Sequence, residues 1–112
     1  TAYEIRPRDW SSDVCSSDLV KDKVKKILKR CGAYYAMPAT GGYGTSGVPD
    51  FVICYKGRFI GVECKAGSNK PTGLQAKNLA EIEYAGGIAL VVNEDNLEHF
   101  ERIMNETTSI YS

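Results

Sequence analysis

The chain holds one histidine, His99, one tryptophan and four prolines in 112 residues. Its four cysteines form no Cys-x-x-Cys pair. A lone histidine without paired cysteines supplies neither common zinc ligand set, which argues against a zinc site. Cys31, Cys54 and Cys64 read as small buried hydrophobes in a reducing cell interior, not as a disulfide framework. No apolar run approaches the length of a membrane span, and no signal-peptide pattern is present. A soluble, cytoplasmic protein is therefore expected. The formal net charge is zero, so composition alone carries no strong nucleic-acid signature.

Residues 1–19 differ in character from the rest of the chain. They lack an apolar period and turn logic. Asp9-Trp10-Ser11-Ser12-Asp13-Val14-Cys15-Ser16-Ser17-Asp18-Leu19 matches, codon by codon, one reading frame of a common sequencing-library adaptor. Thr1-Ala2-Tyr3-Glu4-Ile5 matches the other half of that adaptor. Residues 1–19 are thus expected to be a non-native, adaptor-derived segment, and residues 20–112 a single domain. Setting aside Glu4, Arg6, Arg8, Asp9, Asp13 and Asp18 leaves 12 basic and 10 acidic residues. The positives cluster at Lys21, Lys23, Lys25, Lys26, Lys29 and Arg30. Such a run is ordinarily a solvated helix face, although it could also meet phosphates.

Val20, Val24, Ile27 and Leu28 recur at helical spacing, and Gly32 is placed as a C-cap, which predicts a helix over 20–31. Residues 33–37 read as a strand stopped by Pro38. A glycine-rich loop, 39–47, lacks the Gly-Lys-Ser/Thr ending of a phosphate cradle and leads into a strand. Phe51–Tyr55 and Arg58–Val62 are apolar runs separated by Lys56-Gly57, the signal of a tight hairpin. Phe51 and Val52 point to opposite sides and both are apolar, so a sheet covered on both faces is expected. Thr72 and Gln75 have capping-box spacing. The helix they open should turn Leu74, Leu79 and Ile82 inward. Ile88–Val92 reads as a buried strand, and Leu97, Phe100, Ile103 and Met104 as the stripe of a last helix. The predicted order is α-β-β-β-α-β-α.

The hairpin fixes a register. If Tyr55 pairs with Arg58, Asp50 falls opposite Glu63. Cross-strand neighbours have Cβ atoms about 4.5–5.5 Å apart, where like charges destabilise. Lys65 follows Glu63 by two and shares its face. Two carboxylates and a lysine would converge beside an otherwise apolar hairpin, and a divalent metal is the simplest explanation. The bland readings are a solvated polar patch, a Glu63–Lys65 ion pair, and a Gln75 that merely caps its helix.

Gly47-Val48-Pro49-Asp50, then Glu63-Cys64-Lys65, then a helix opening with Pro71-Thr72-Gly73-Leu74-Gln75, resembles the PD-(D/E)xK nuclease fold. With Tyr43-Gly44-Thr45-Ser46, Gly57-Arg58-Phe59 and Ala85-Gly86-Gly87, the pattern is similar to the small, phage-type VRR-NUC domains over most of 20–105. The resemblance implies an α/β restriction-endonuclease-like core, with a mixed sheet flanked by helices. It implies a DNA endonuclease that hydrolyses phosphodiester bonds with Mg²⁺ or Mn²⁺. Asp50, Glu63 and the backbone carbonyl of Cys64 would hold the metal, as hard cations prefer oxygen. Lys65 would orient or deprotonate water, or neutralise developing charge. Gln75 would sit beside the site, and Tyr43, Ser46 and Lys70 would contact the DNA backbone. The resemblance further implies a homodimer acting on branched or junction DNA in phage or prophage replication, repair or recombination. It also implies a metal-binding glutamate on the first helix. That position falls near Ser17, inside the segment read as adaptor-derived.

Two other functions fit the same residues. One is a catalytically impaired or non-catalytic DNA-binding module that keeps the fold, favoured by the missing acid and the lysine-rich helix. The other is a sequence-specific restriction-like enzyme, for which the chain leaves little room for a recognition domain.

Overall fold

Lys56 and Gly57 both adopt positive φ, 54° and 81°. Two successive positive φ values match the twist of the flanking strands and close a two-residue hairpin. The hairpin joins β2 (Phe51–Tyr55) to β3 (Arg58–Cys64). Its pairs run from Tyr55↔Arg58 to Phe51↔Val62, the register expected from the turn. The computed structural model describes residues 16–38 and 47–107.

Among these residues the order is α1 (Ser16–Cys31), β1 (Tyr34–Ala36), β2, β3, α2 (Gly73–Tyr84), β4 (Ile88–Val92) and α3 (Leu97–Glu106). This is the predicted α-β-β-β-α-β-α order. The sheet order is β1-β2-β3-β4. The first two pairings are antiparallel and β3–β4 is parallel, so the sheet is mixed. The parallel pair needs a crossover, and α2 supplies it.

α1 starts four residues earlier than expected and takes in residues 16–19. Asp18 stands in its first turn and Lys29 and Arg30 in its last, complementing the helix dipole at both ends. Gly32 ends it at φ 78°, with the Ala33 amide donating to the Leu28 carbonyl. Val20, Val24, Ile27 and Leu28 form its buried stripe. They pack with Phe100 and Met104 of α3 over Phe51, Ile53, Ile60, Val62, Cys64 and Val92 of the sheet. Tyr35 lies against Phe51 with ring centroids 5.7 Å apart. Removing a side chain such as Phe51 or Phe100 from a core of this kind costs about 3–5 kcal/mol.

The opposite face is only partly covered, which corrects the expectation of two closed faces. α2 packs on β3 and β4. It leaves exposed a row that crosses three strands, Tyr34↔Cys54↔Phe59. No residue of α2 is buried, and Leu74 is 40% exposed instead of turning inward. α2 meets the sheet through the Ile82 side chain. A Cβ on Gly61 would lie 2.6 Å from Ile82 Cδ1, so α2 rests on glycine and needs no long apolar stripe. β4 is also less buried than its apolar run suggests, with only Val92 buried, because it is an edge strand. No described helix is long and apolar enough to cross a membrane.

Candidate active site

The end of β2 is set by Pro49. Continuing the hairpin register places Pro49 opposite Cys64 and Asp50 opposite Glu63, just beyond the last observed pair. β3 meanwhile stays bonded to β4, the Lys65 amide donating to the Val92 carbonyl at 2.9 Å. Alternate residues of a strand bond to opposite neighbours, so the N–H and C=O of Cys64 face β2. Pro49 has no N–H to offer that carbonyl. The Cys64 amide donates instead to Asp50 Oδ2, at 2.8 Å. A carboxylate thus replaces the ladder where the two strands part, and the Cys64 carbonyl faces the same gap.

Gly47 delivers the chain to this point. Its φ is +99°, and a Cβ there would meet the Leu74 backbone at 2.9 Å. Only glycine fits a left-handed residue pressed on the first turn of α2. On the far side of the site, the Gly67 amide donates to Glu94 Oε1 at 2.7 Å, and Asn93 Nδ2 donates to the Gly67 carbonyl. These bonds tie the segment after Lys65 to the turn before α3. The backbone amides of Glu94 itself and of Gly67 hold the Glu94 carboxyl below the usual carboxylate range.

Glu63 is the one buried charged residue of the described core, 2% exposed. Its Oε2 lies 3.6 Å from Lys65 Nζ, and its Oε1 is buried with no hydrogen-bond partner. Burial pushes its pKa from 4.5 up to about 7, the negative charge of Asp50 adds to the rise, and Lys65 opposes it. Asp50 is more open and lies 3.6 Å from Lys21 Nζ of α1. Burial also pushes the Cys64 thiol up to about 12, with Asp50 adding to the rise. The free thiol therefore stays protonated at neutral pH.

Asp50, Glu63, Cys64 and Lys65 are therefore brought together as the sequence predicted. Lys21 joins them unannounced. Gln75 has another commitment. Its Oε1 accepts from the Thr72 amide at 2.9 Å, and its own amide donates to Thr72 Oγ1 at 3.2 Å, a complete capping box. Only its amide nitrogen could serve the acids. Lys70 is exposed in the loop before α2. Tyr43 and Ser46 lie outside the described residues. The rest of the basic run on α1 is mostly answered by acids. Lys25 pairs with Asp22, Arg30 with Glu101, and Lys23 and Lys26 line a groove shared with Glu94, Glu98 and Glu101.

No family model matches the sequence, and no curated protein matches it. A solved structure described as a VRR_NUC domain superposes with a TM-score of 0.66 at 20% identity. The superposition covers 80% of this chain and 95% of the other. The fold is that of a VRR_NUC domain. The VRR-NUC-like order and sheet read from the sequence are borne out at this level.

The donor set fits a hard divalent cation. Two carboxylates stand together, one with an orphaned buried oxygen, and a backbone carbonyl faces them. Magnesium-type sites use one or two carboxylates and keep several waters. Among the described residues, no group of three or more His, Cys, Asp or Glu side chains could hold a metal. Asp50 and Glu63 are the two carboxylates gathered there.

Proposed function

We propose that this chain is a divalent-metal-dependent deoxyribonuclease domain that hydrolyses DNA phosphodiester bonds. The observation that supports this best is Glu63. It is a buried carboxylate with an unpartnered oxygen beside Asp50 and Lys65, in a VRR_NUC fold. A charge so placed is costly unless it is paired or bound to a cation. Asp50, Glu63 and the Cys64 carbonyl offer oxygens to Mg²⁺ or Mn²⁺. A divalent cation acidifies water and neutralises phosphate charge when bound. Lys65 directs its ammonium at the same place, where it orients or deprotonates the attacking water or meets the charge that develops on the phosphate. Gln75 positions Lys65 or the water through its amide nitrogen. Lys70, Tyr43 and Ser46 contact the DNA backbone. The chain works as a homodimer on branched DNA, in phage or prophage replication, repair or recombination inside a bacterial host cell.

A second reading is favoured by the two-carboxylate donor set. It is a module that binds DNA in this fold but cleaves weakly or not at all. Cleavage of plasmid, linear duplex and four-way junction in Mn²⁺ separates the two. The nuclease reading expects cutting that Lys65→Ala abolishes, with the junction preferred. DNA binding without cutting supports the module. Equal cutting of duplex and junction removes the branch preference.

A further inference from the structure

Each carboxylate of the acid pair has its own lysine. Lys65 Nζ is 3.6 Å from Glu63 Oε2, and Lys21 Nζ is 3.6 Å from Asp50 Oδ1. The two carboxylates differ in what remains. Glu63 keeps one oxygen with no partner. Asp50 keeps none, because its Oδ2 already accepts the Cys64 amide. A cation entering the site can take Glu63 Oε1 without displacing anything. At Asp50 Oδ1 it meets the Lys21 ammonium.

Lys21 is held there by helix phase. Its neighbours Val20 and Val24 are buried, which pins this face of α1 to the core and leaves Lys21 at the border of the stripe. Its side chain is 28% exposed, against 19% for Lys65, so it has a way out to solvent. Lys25, one turn on, pairs with Asp22 of its own helix and takes no part.

We propose that Lys21 is a resident counter-cation of Asp50, which neutralises the acid pair in the metal-free chain and must swing away when a divalent cation binds. This rests on the metal-site reading above. Lys21 is thus a positioning residue, which sets the threshold of metal concentration at which the site fills. A dication and an ammonium on the same carboxylate oxygen repel each other. Removing the ammonium therefore strengthens metal binding and weakens the metal-free fold.

The test is thermal melting of the full chain against MnCl₂ concentration, for the unsubstituted chain and for Lys21→Met, Lys21→Gln, Lys21→Arg, Lys25→Met and Glu63→Gln. Lys21→Met and Lys21→Gln should melt lower without metal and reach half-saturation at about tenfold less Mn²⁺. Lys21→Arg keeps the charge and should stay near the unsubstituted chain, as should Lys25→Met. An unchanged or raised half-saturation in both neutral variants overturns the role of Lys21. The metal site still stands in that case if the unsubstituted chain responds to Mn²⁺ and Glu63→Gln does not. No Glu63-dependent response in any chain overturns the metal site and this inference together.

Discussion

Asp50 Oδ2 accepts the backbone amide of Cys64 at 2.8 Å, where the β2–β3 ladder would otherwise continue. The aspartate therefore has a structural part beside the one proposed for it at the metal. Asp50→Ala leaves a part-buried N–H without its acceptor, which costs about 1–3 kcal/mol. Asp50→Asn keeps an oxygen in place and should retain most of that stability while losing most of the response to metal. Urea melts with and without Mn²⁺ check both. Equal destabilisation by the two substitutions would show that the amide bond is not what matters.

Glu63 makes stability depend on pH in the metal-free chain. Its pKa is about 7 in the fold, against an ordinary value of 4.5. Between these the folded state holds a proton that the unfolded chain has released. Its contribution is full below 4.5 and falls as pH rises toward about 7. At about 1.4 kcal/mol per pH unit the loss is on the order of 3 kcal/mol. Glu63→Gln should remove that part of the slope, read from urea melts at about pH 5 and pH 8. An unaltered slope would contradict the assignment. Metal binding should tighten over the same range, because a carboxylate ligates in its ionised form.

Gly47 links the approach loop to the acid pair. Gly47→Ala forces a positive φ on alanine and drives its Cβ into the Leu74 backbone, for about 1–3 kcal/mol. Gly32 also has a positive φ, 78°, but a Cβ there meets nothing within 4 Å. Gly32→Ala should lower stability while leaving Mn²⁺ affinity alone. Gly47→Ala should lower both, because Asp50 lies three residues on. Calorimetric titration of the two variants distinguishes them.

The three described cysteines should react in order of exposure. Cys54 is exposed, Cys31 half-buried and Cys64 buried, its thiol pushed up to about 12. Mass-spectrometric mapping of native alkylation should find Cys54 modified before Cys31, and Cys64 on the order of 100-fold more slowly than Cys54. Prompt labelling of Cys64 would mean that the gap between β2 and β3 opens readily.

Much of this was legible in the residues. Lys56-Gly57 fixed the hairpin register, and that register put Asp50 beside Glu63. Thr72 and Gln75 signalled the cap that now competes with a catalytic role for Gln75. The missed features depend on how elements meet. Lys21 looked like one more charge in a basic run, because charge patterning ignores helix phase. Its place beside Val20 and Val24 on the helical wheel was the available signal. Leu74 kept helical spacing yet stayed exposed, while Ile82 is the α2 side chain seated on Gly61 of β3. Residues 16–19 lacked an apolar period, so their helix was invisible to a rule that looks for one.

Asp50 and Glu63 are proposed to hold one divalent cation. Titrating Mn²⁺ into the chain and into Glu63→Gln by calorimetry tests it directly. One site in the unsubstituted chain, lost in Glu63→Gln, is the predicted result. Equal binding by both chains, or none by either, would contradict it.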